Sequence, residues 1–410
     1  MLSRRNFLKY SGLGVLGLAG CKRIPDEGIL NPCLPPKDLP KDLIQHELLQ
    51  AAWEGIDPTR FRDMHVHVAG VGHGNSGVAI NPAMTSIFHP LQYAQMKFFL
   101  NAGCVENKEG VDKAFVQRLF ELTKHFKTGA KFMLLAFDHT YSEEGEKDYS
   151  KTAIYIPNAY AKAIAGAHPG RFEWIASIHP YRKDCVETLL WASKNGAKAI
   201  KWLPPAMGID PSSPLCDPFY ETAAKLNLPL LTHGGKERAL HGAAVEAYGN
   251  PLLLKRALQH GVRVIVAHCA SMGKSIDFDK GKTGPHEESF TLFARLMDDQ
   301  RFEGLLSGDI SAVTQSNRVD VALKDIIEKD HWHHRLFNGS DYPIPGVMPL
   351  FSLKLLIERK FISLAEGKVL SEVRKYNPLL FDFVLKRTLT VDGKKLLSGI
   401  FEGRKFFSRS

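Results

Sequence analysis

Eight short apolar runs, most of them separated by a dozen or more residues of helical periodicity, constrain this chain more than any other feature. They are Phe61 to His67, Lys131 to Asp138, Phe172 to His179, Ala197 to Leu203, Leu228 to His233, Val262 to His268, Phe302 to Asp309 and Arg335 to Asp341. Helical spacing is plain in Phe219, Tyr220, Ala223, Ala224 and Leu226 before the fifth run, and in Leu252, Leu253, Leu254, Ala257 and Leu258 before the sixth. Eight βα units in about 320 residues are the repeat of an α/β chain closed into a (β/α)8 TIM barrel. A doubly wound open sheet fits less well, because no run leads into a G-x-G-x-x-G turn. The connections 68–130 and 269–289 are long, so the barrel is expected to carry long insertions after strands 1 and 6.

Composition excludes several alternatives. With 44% hydrophobic residues in 410, the chain can bury a large core, which rules out wholesale disorder, a collagen-like chain or a disulfide-dense miniprotein. Its formal charge of +9 comes from scattered lysines and arginines, so no nucleic-acid partner is expected.

The N-terminus carries two overlapping addresses. Residues 3–9 read SRRNFLK, with Arg4 and Arg5 paired ahead of Phe7, Leu8 and Lys9, and the apolar segment 10–20 is too short to span a bilayer. This resembles a twin-arginine export signal. Leu18-Ala19-Gly20-Cys21 resembles a bacterial lipoprotein cleavage box with Cys21 as the lipidated residue. The two resemblances imply a signal peptide over 1–20 and a protein exported to the periplasmic face, lipid-anchored to a bacterial membrane. Export of that kind implies folding before transport, often with a metal or cofactor already loaded. Cleavage before Cys21 removes three basic residues and no acid, taking +9 to +6.

Residues 21–55 read as a Pro-rich tether (Pro25, Pro32, Pro35, Pro36, Pro40) followed by a short helix that ends at Gly55. The barrel is expected over 56–390, with a basic tail over 391–410. Cys33, Cys104, Cys185, Cys216 and Cys269 show no C-x-x-C spacing, so they read first as incidental buried thiols; no disulfide framework is expected, and whether any pair is bridged is not legible.

The polar residues closing the runs carry the chemistry. The first run reads DMHVH, which places Asp63, His65 and His67 on one face of a strand so that both imidazoles reach one ion. His233 closes the fifth run, His268 the sixth and Asp341 the eighth. In a closed barrel the C-terminal strand ends share one rim. Four histidines and an aspartate gathered there would be costly to bury unless a cation joined them. Neutral imidazole and carboxylate suit one Zn2+, with Mn2+ or Fe2+ as alternatives.

The chain is similar to the amidohydrolase superfamily, and within it to the amidohydrolase-2 branch of metal-dependent barrel hydrolases and decarboxylases. The likeness runs from about Arg62 to Leu380. It rests on D-x-H-x-H with HPGRFEWIASIHP (168–180), GAKAIKWLPP (196–205), DPFYETAAKLNLPLLTHGG (217–235), VRVIVAHCASMG (262–273), FNGSDYP (337–343) and YNPLLF (376–381). The resemblance implies that His65, His67, His233 and Asp341 bind one metal, with His268 beside it. Relatives with two metals carry a carboxylated lysine at the position of Lys201, and Lys201, His268 and His179 are therefore candidates for a second metal or for substrate. Asp138, His139 and Asp309 close other runs and read first as capping or hydrogen-bonding groups, with substrate binding or the orienting of metal ligands as the alternative, and Lys236, Glu237 and Arg238 read as a solvated helix start, with a carboxylate clamp as the alternative.

The expected reaction is hydrolysis of an amide, ester or lactone in a small molecule by metal-activated water, with Asp341 as proton acceptor and His268 orienting the nucleophile or polarising the carbonyl. Decarboxylation or hydration on the same site is the alternative, and a metal-binding lipoprotein without turnover is another. A barrel nuclease is disfavoured, because Lys201 stands where that family carries glutamate and a basic patch is lacking. Substrate identity and oligomeric state are not legible.

Overall fold

All eight runs become parallel strands around one barrel in the computed structural model, which describes residues 28–106, 108–240 and 242–407. The strands are β1 (Arg62–His67), β2 (Lys131–Leu135), β3 (Phe172–Ile175), β4 (Ile200–Trp202), β5 (Leu230–His233), β6 (Val264–Ala267), β7 (Leu306–Asp309) and β8 (Leu336–Phe337). Neighbours pair in parallel from β1 to β3 and from β4 to β8. An Ala176–Ile200 bridge joins β3 to β4, and a Val66–Tyr342 bridge with Met64 N donating to Asn338 O closes β8 on β1.

The interior is filled by Met64, Met133, Leu135, Ile175, Ala199, Leu231, Ile265, Ala267 and Phe337. Helices such as Asp217–Lys225 and Ser289–Met297 pack their apolar stripes on the outside of the sheet. In the YNPLLF segment, the Asn377 side chain accepts from Leu380 N and caps Pro378–Thr388, with Pro378 at the first helical position.

The connection after β1 contains helices Pro90–Ala102 and Val111–Thr123, and the connection after β6 folds as a hairpin of Lys274–Ile276 with His286–Glu288. A further hairpin after β2, Thr140–Tyr141 with Lys147–Asp148, was not legible.

Three expectations need correction. From residue 28 on, the Pro-rich segment does not extend freely: Asn31 N donates to Asn101 Oδ1 at 2.9 Å, Arg118 donates to Leu34 O, and Leu39 is buried. The thiols are not all free, because Cys33 and Cys104 form a disulfide with Cα atoms 5.5 Å apart, while Cys185, Cys216 and Cys269 are buried thiols. Residues 391–407 do not form a solvated tail. Phe407 joins the barrel interior, Phe406 packs 4.5 Å from Phe337 ring to ring, and Arg263 lies over Phe406. Cys21 and the Arg4-Arg5 pair lie outside the described residues. Among the described residues, no helix is long and apolar enough to cross a membrane.

Candidate metal centre

A register shift between Asp63 and Val66 breaks the simple alternation expected of β1. Met64 enters the barrel interior, while Asp63 accepts from His65 N and Ser340 N and ties β1 to the end of β8. Burial raises the Asp63 carboxyl to about 7. His65 and His67 still converge on Asp341, as the motif predicts. Asp341 Oδ1 lies 3.0 Å from His67 Nε2 and 3.4 Å from His65 Nε2. The Asp341 backbone has φ 61°, a conformation rare for a residue with a side chain, and its N–H donates to His65 O at 2.8 Å. Gly339 makes that approach feasible, because a Cβ there would sit 2.7 Å from His65 Cβ.

The neighbours of His65 fix its tautomer. Its Nδ1 meets Asp309 Oδ2 at 2.7 Å, so the proton sits on Nδ1 and the Nε2 lone pair faces Asp341. Asp309 also accepts from Ser311 N and His268 N, and the Ser311 hydroxyl donates to it. Ring placement is thus the task of Asp309, the alternative to capping that its strand-end position offers. On His268, Nδ1 lies 3.1 Å from Ser311 O, the geometry of an N–H donor, which leaves Nε2 as the lone-pair nitrogen.

Electrostatics favour ligand protonation states. Burial lowers the pKa of His65 and His268 well below the ordinary value and that of His233 to about 3, with Lys201 or Arg318 adding to each effect. Burial alone would raise Asp341, but the His67 hydrogen bond and nearby positive charge hold it down. The result is neutral His65, His233 and His268 beside an ionised Asp341.

Donor atoms about 2.0–2.1 Å from a tetrahedral zinc lie roughly 3.3 Å apart. The His65, His67 and Asp341 contacts bracket that spacing, and these three form one of two groups among the described residues compact enough to hold an ion. His65, His268 and Asp309 form the other, but its ring nitrogens already share the Ser311 hydroxyl, so it reads as a hydrogen-bond network. The residues fit a single divalent ion.

Two expected members sit differently. His233 falls in neither compact group; its Nε2 faces Lys236 O at 3.4 Å and Glu237 Oε2 at 3.5 Å, with its ring 5.3 Å from that of His268. His179 is withdrawn altogether. Its Nε2 bonds Met207 O and its Nδ1 accepts from Tyr181 N, so neither nitrogen remains for a second metal or substrate. Asp138 is similarly occupied by His179 N, His139 N and Arg182.

Two buried cations complete the centre. Lys201 Nζ lies 3.3 Å from His65 Nε2, and burial lowers it to about 8. Arg318, which the sequence reading missed, donates to Ser271 Oγ and Gln315 Oε1, and burial lowers it to about 10. Among the described residues, neither has a carboxylate within salt-bridge distance; Asp341, Glu237 and Asp309 act on Arg318 from farther away. Glu237, read from sequence as part of a solvated helix start, is buried and accepts from Ala239 N and Leu240 N.

A family model described as amidohydrolase matches residues 117–357, which is 241 of the 410 residues. The fold, this match and a His/Asp cluster able to hold an ion thus define a barrel enzyme. The chain belongs to the amidohydrolase family and is an enzyme of the amidohydrolase superfamily, which is typically dependent on divalent metals. His65 and His67 lie before the matched segment, so the three-dimensional arrangement ties them to it.

Among solved structures, an uncharacterised TIM-barrel protein from Bordetella bronchiseptica is 14% identical, with a TM-score of 0.45 over 76% of this chain and 99% of its own. A probable 2-pyrone-4,6-dicarboxylic acid hydrolase from Acinetobacter baumannii is 14% identical, with a TM-score of 0.44 over 76% and 95%. A 5-carboxyvanillate decarboxylase from Sphingomonas paucimobilis is 10% identical, with a TM-score of 0.42 over 84% and 97%. No curated protein sequence matches the chain.

Proposed function

We propose that this enzyme hydrolyses an ester, lactone or amide bond in a small molecule that carries a carboxylate, using one divalent ion, Zn2+ first and Mn2+ or Fe2+ as alternatives. The convergence of His65 Nε2, His67 Nε2 and Asp341 Oδ1 at the rim carries the reading. His65, His67 and Asp341 would hold the ion, with His233 and His268 flanking it. When bound, such an ion supplies Lewis acidity, which polarises a carbonyl and acidifies water toward neutrality.

The chain's own groups supply the remainder. Asp341, ionised and turned into the site, takes the proton of the attacking water on its carboxylate and returns it to the leaving group. His268, with its Nδ1 proton shared by Ser311 Oγ at 2.7 Å and Ser311 O at 3.1 Å, accepts a hydrogen bond at Nε2 and so orients the water instead of polarising the carbonyl. Arg318 and Lys201 are cations buried without an ion-pair partner, a costly arrangement that a substrate carboxylate relieves. Their presence supports an anionic substrate.

A panel of esters, lactones and amides, each with and without a carboxylate, tests the assignment. Turnover restricted to the carboxylate-bearing members is expected. Carbon dioxide release without bond hydrolysis would replace hydrolysis with decarboxylation on the same groups, and equal turnover of uncharged substrates would remove the role of Arg318.

Export and lipid anchoring through Cys21 belong to the same proposal. The N-terminal motifs support them, and the Cys33–Cys104 disulfide suits an oxidising compartment. The intact mass of the protein isolated from its native membrane tests this: a diacylglycerol-sized increment on a chain beginning at Cys21 is expected, and an unmodified chain beginning at Met1 would contradict it.

A further inference from the structure

The insertion after β1 ends its first half in an apolar tip. Phe88 is 87% exposed, Ile87 67% and Leu91 45%, and Phe88 is the most exposed large apolar side chain among the described residues. This is an ordered turn: Phe88 N donates to Ser86 Oγ and His89 N to Ser86 O, and helix Pro90–Ala102 starts directly behind it. Residues 64–105 contain no aspartate or glutamate, so nothing acidic in the segment opposes an anionic surface.

The helix behind the tip crosses the barrel rim. At its far end, a Cβ on Gly346 would lie 2.7 Å from Ala102 O, in the connection after β8; nearer the tip, Gln95 Nε2 donates to Arg238 O in the connection after β5. The chain leading from the N-terminus is pinned to this same helix, by Asn31 on Asn101 and by the Cys33–Cys104 disulfide just past the helix end. A 13-residue helix is about 20 Å long. Leu30 lies nine chain steps after Cys21, a reach of at most about 30 Å.

We propose that Ile87, Phe88 and Leu91 dock on the phospholipid bilayer that carries the anchor, so that the rim with the metal centre faces the membrane. The proposal rests on the reading of Cys21 as lipidated, because the reach from that residue to the pinned end exceeds the length of the helix and so lets the tip meet the lipid surface. Aromatic and aliphatic side chains at a loop tip partition into the interface, and the segment 64–105 adds no acidic residue that would oppose it.

The full chain carrying Phe88→Trp, mixed with phosphatidylethanolamine–phosphatidylglycerol vesicles with or without brominated acyl chains, tests the docking. The added tryptophan emission, taken as the difference from the unsubstituted protein, is expected to shift to the blue and to lose intensity on brominated lipid. Emission at the solvent-exposed wavelength with no quenching overturns the proposal. Intact mass separates the two readings. Quenching of an unlipidated chain keeps the docking surface and removes the anchor, whereas a lipidated chain that floats with vesicles unquenched removes the docking surface alone. A blue shift that depends on protein concentration and appears without vesicles also overturns it, in favour of a second copy covering the tip. The Ile87→Ser, Phe88→Ser, Leu91→Ser triple variant is expected to lose lipid-dependent protection of the segment from protease while its melting temperature stays unchanged.

Discussion

The two ends of the barrel are built from the same eight strands and differ in almost every physical respect. At the C-terminal rim, His65, His233, His268, Asp309, Asp341, Lys201 and Arg318 are buried together, and several backbone positions take rare positive φ values, including Asp341, His268 and Ala312. Inside and below, Met64, Met133, Leu135, Ile175, Leu231, Ile265, Phe337 and Phe407 form an apolar plug. The rim concentrates groups that weaken a fold unless they are paired, while the plug contributes dispersion and burial with no polar cost. Chemistry and stability are thereby separated along one axis, as barrels of this kind allow.

Substitutions at the two ends should therefore give opposite signatures. Asp341→Asn is expected to lower kcat by roughly 10²–10⁴-fold, the usual worth of a positioned acid–base group, with little change in melting temperature. Activity near that of the unsubstituted enzyme would remove Asp341 from the proton transfer. Phe407→Ala should do the reverse, costing roughly 3–5 kcal/mol in denaturant unfolding while kcat per folded molecule holds. A normal unfolding midpoint would show that the C-terminal segment does not seal the barrel.

Arg318→Met sharpens the contrast within the rim. Losing a charged hydrogen-bond donor is worth about 1.5–3 kcal/mol, so KM for a carboxylate-bearing substrate should rise by roughly 10- to 100-fold with a smaller effect on kcat. An uncharged analogue should show no change.

The smallest effect lies away from both ends. In the connection after β6, Arg295 donates to both Asp277 carboxylate oxygens, and these hydrogen bonds hold the carboxyl at about 2 against a usual 3.8. A folded-state value below the unfolded one stabilises the protein fully above about pH 4, and the contribution fades as pH falls toward 2. Asp277→Asn should flatten the decline of melting temperature across that window, and an unchanged slope would mean that the pair does not contribute.

The rim was more legible in sequence than the plug because strand ends leave local marks. His65 and His67 follow from alternation, and His233, His268 and Asp341 from closing apolar runs. Asp309 also closed a run, and the orienting of a ligand was its second reading; which histidine it orients appears only when β7 stands beside β1. Arg318 is a lone arginine in an irregular connection and shares no pattern with the strand ends. Phe406 and Phe407 follow Arg404 and Lys405 and so resemble a solvated tail; only long-range contact with Phe337 and Arg263 places them inside. Cys33 and Cys104 are 71 positions apart, a separation that carries no pairing signal. His179 failed for the converse reason, since a strand-end histidine whose two nitrogens are taken by backbone reads the same in sequence as a free one.

Elemental analysis of the purified enzyme, unsubstituted and as His65→Ala/His67→Ala, tests the account at its centre. The account expects one zinc, manganese or iron per chain in the unsubstituted protein, and its loss together with activity in the folded double variant. A fully active protein that contains no divalent metal and is indifferent to chelators would contradict it.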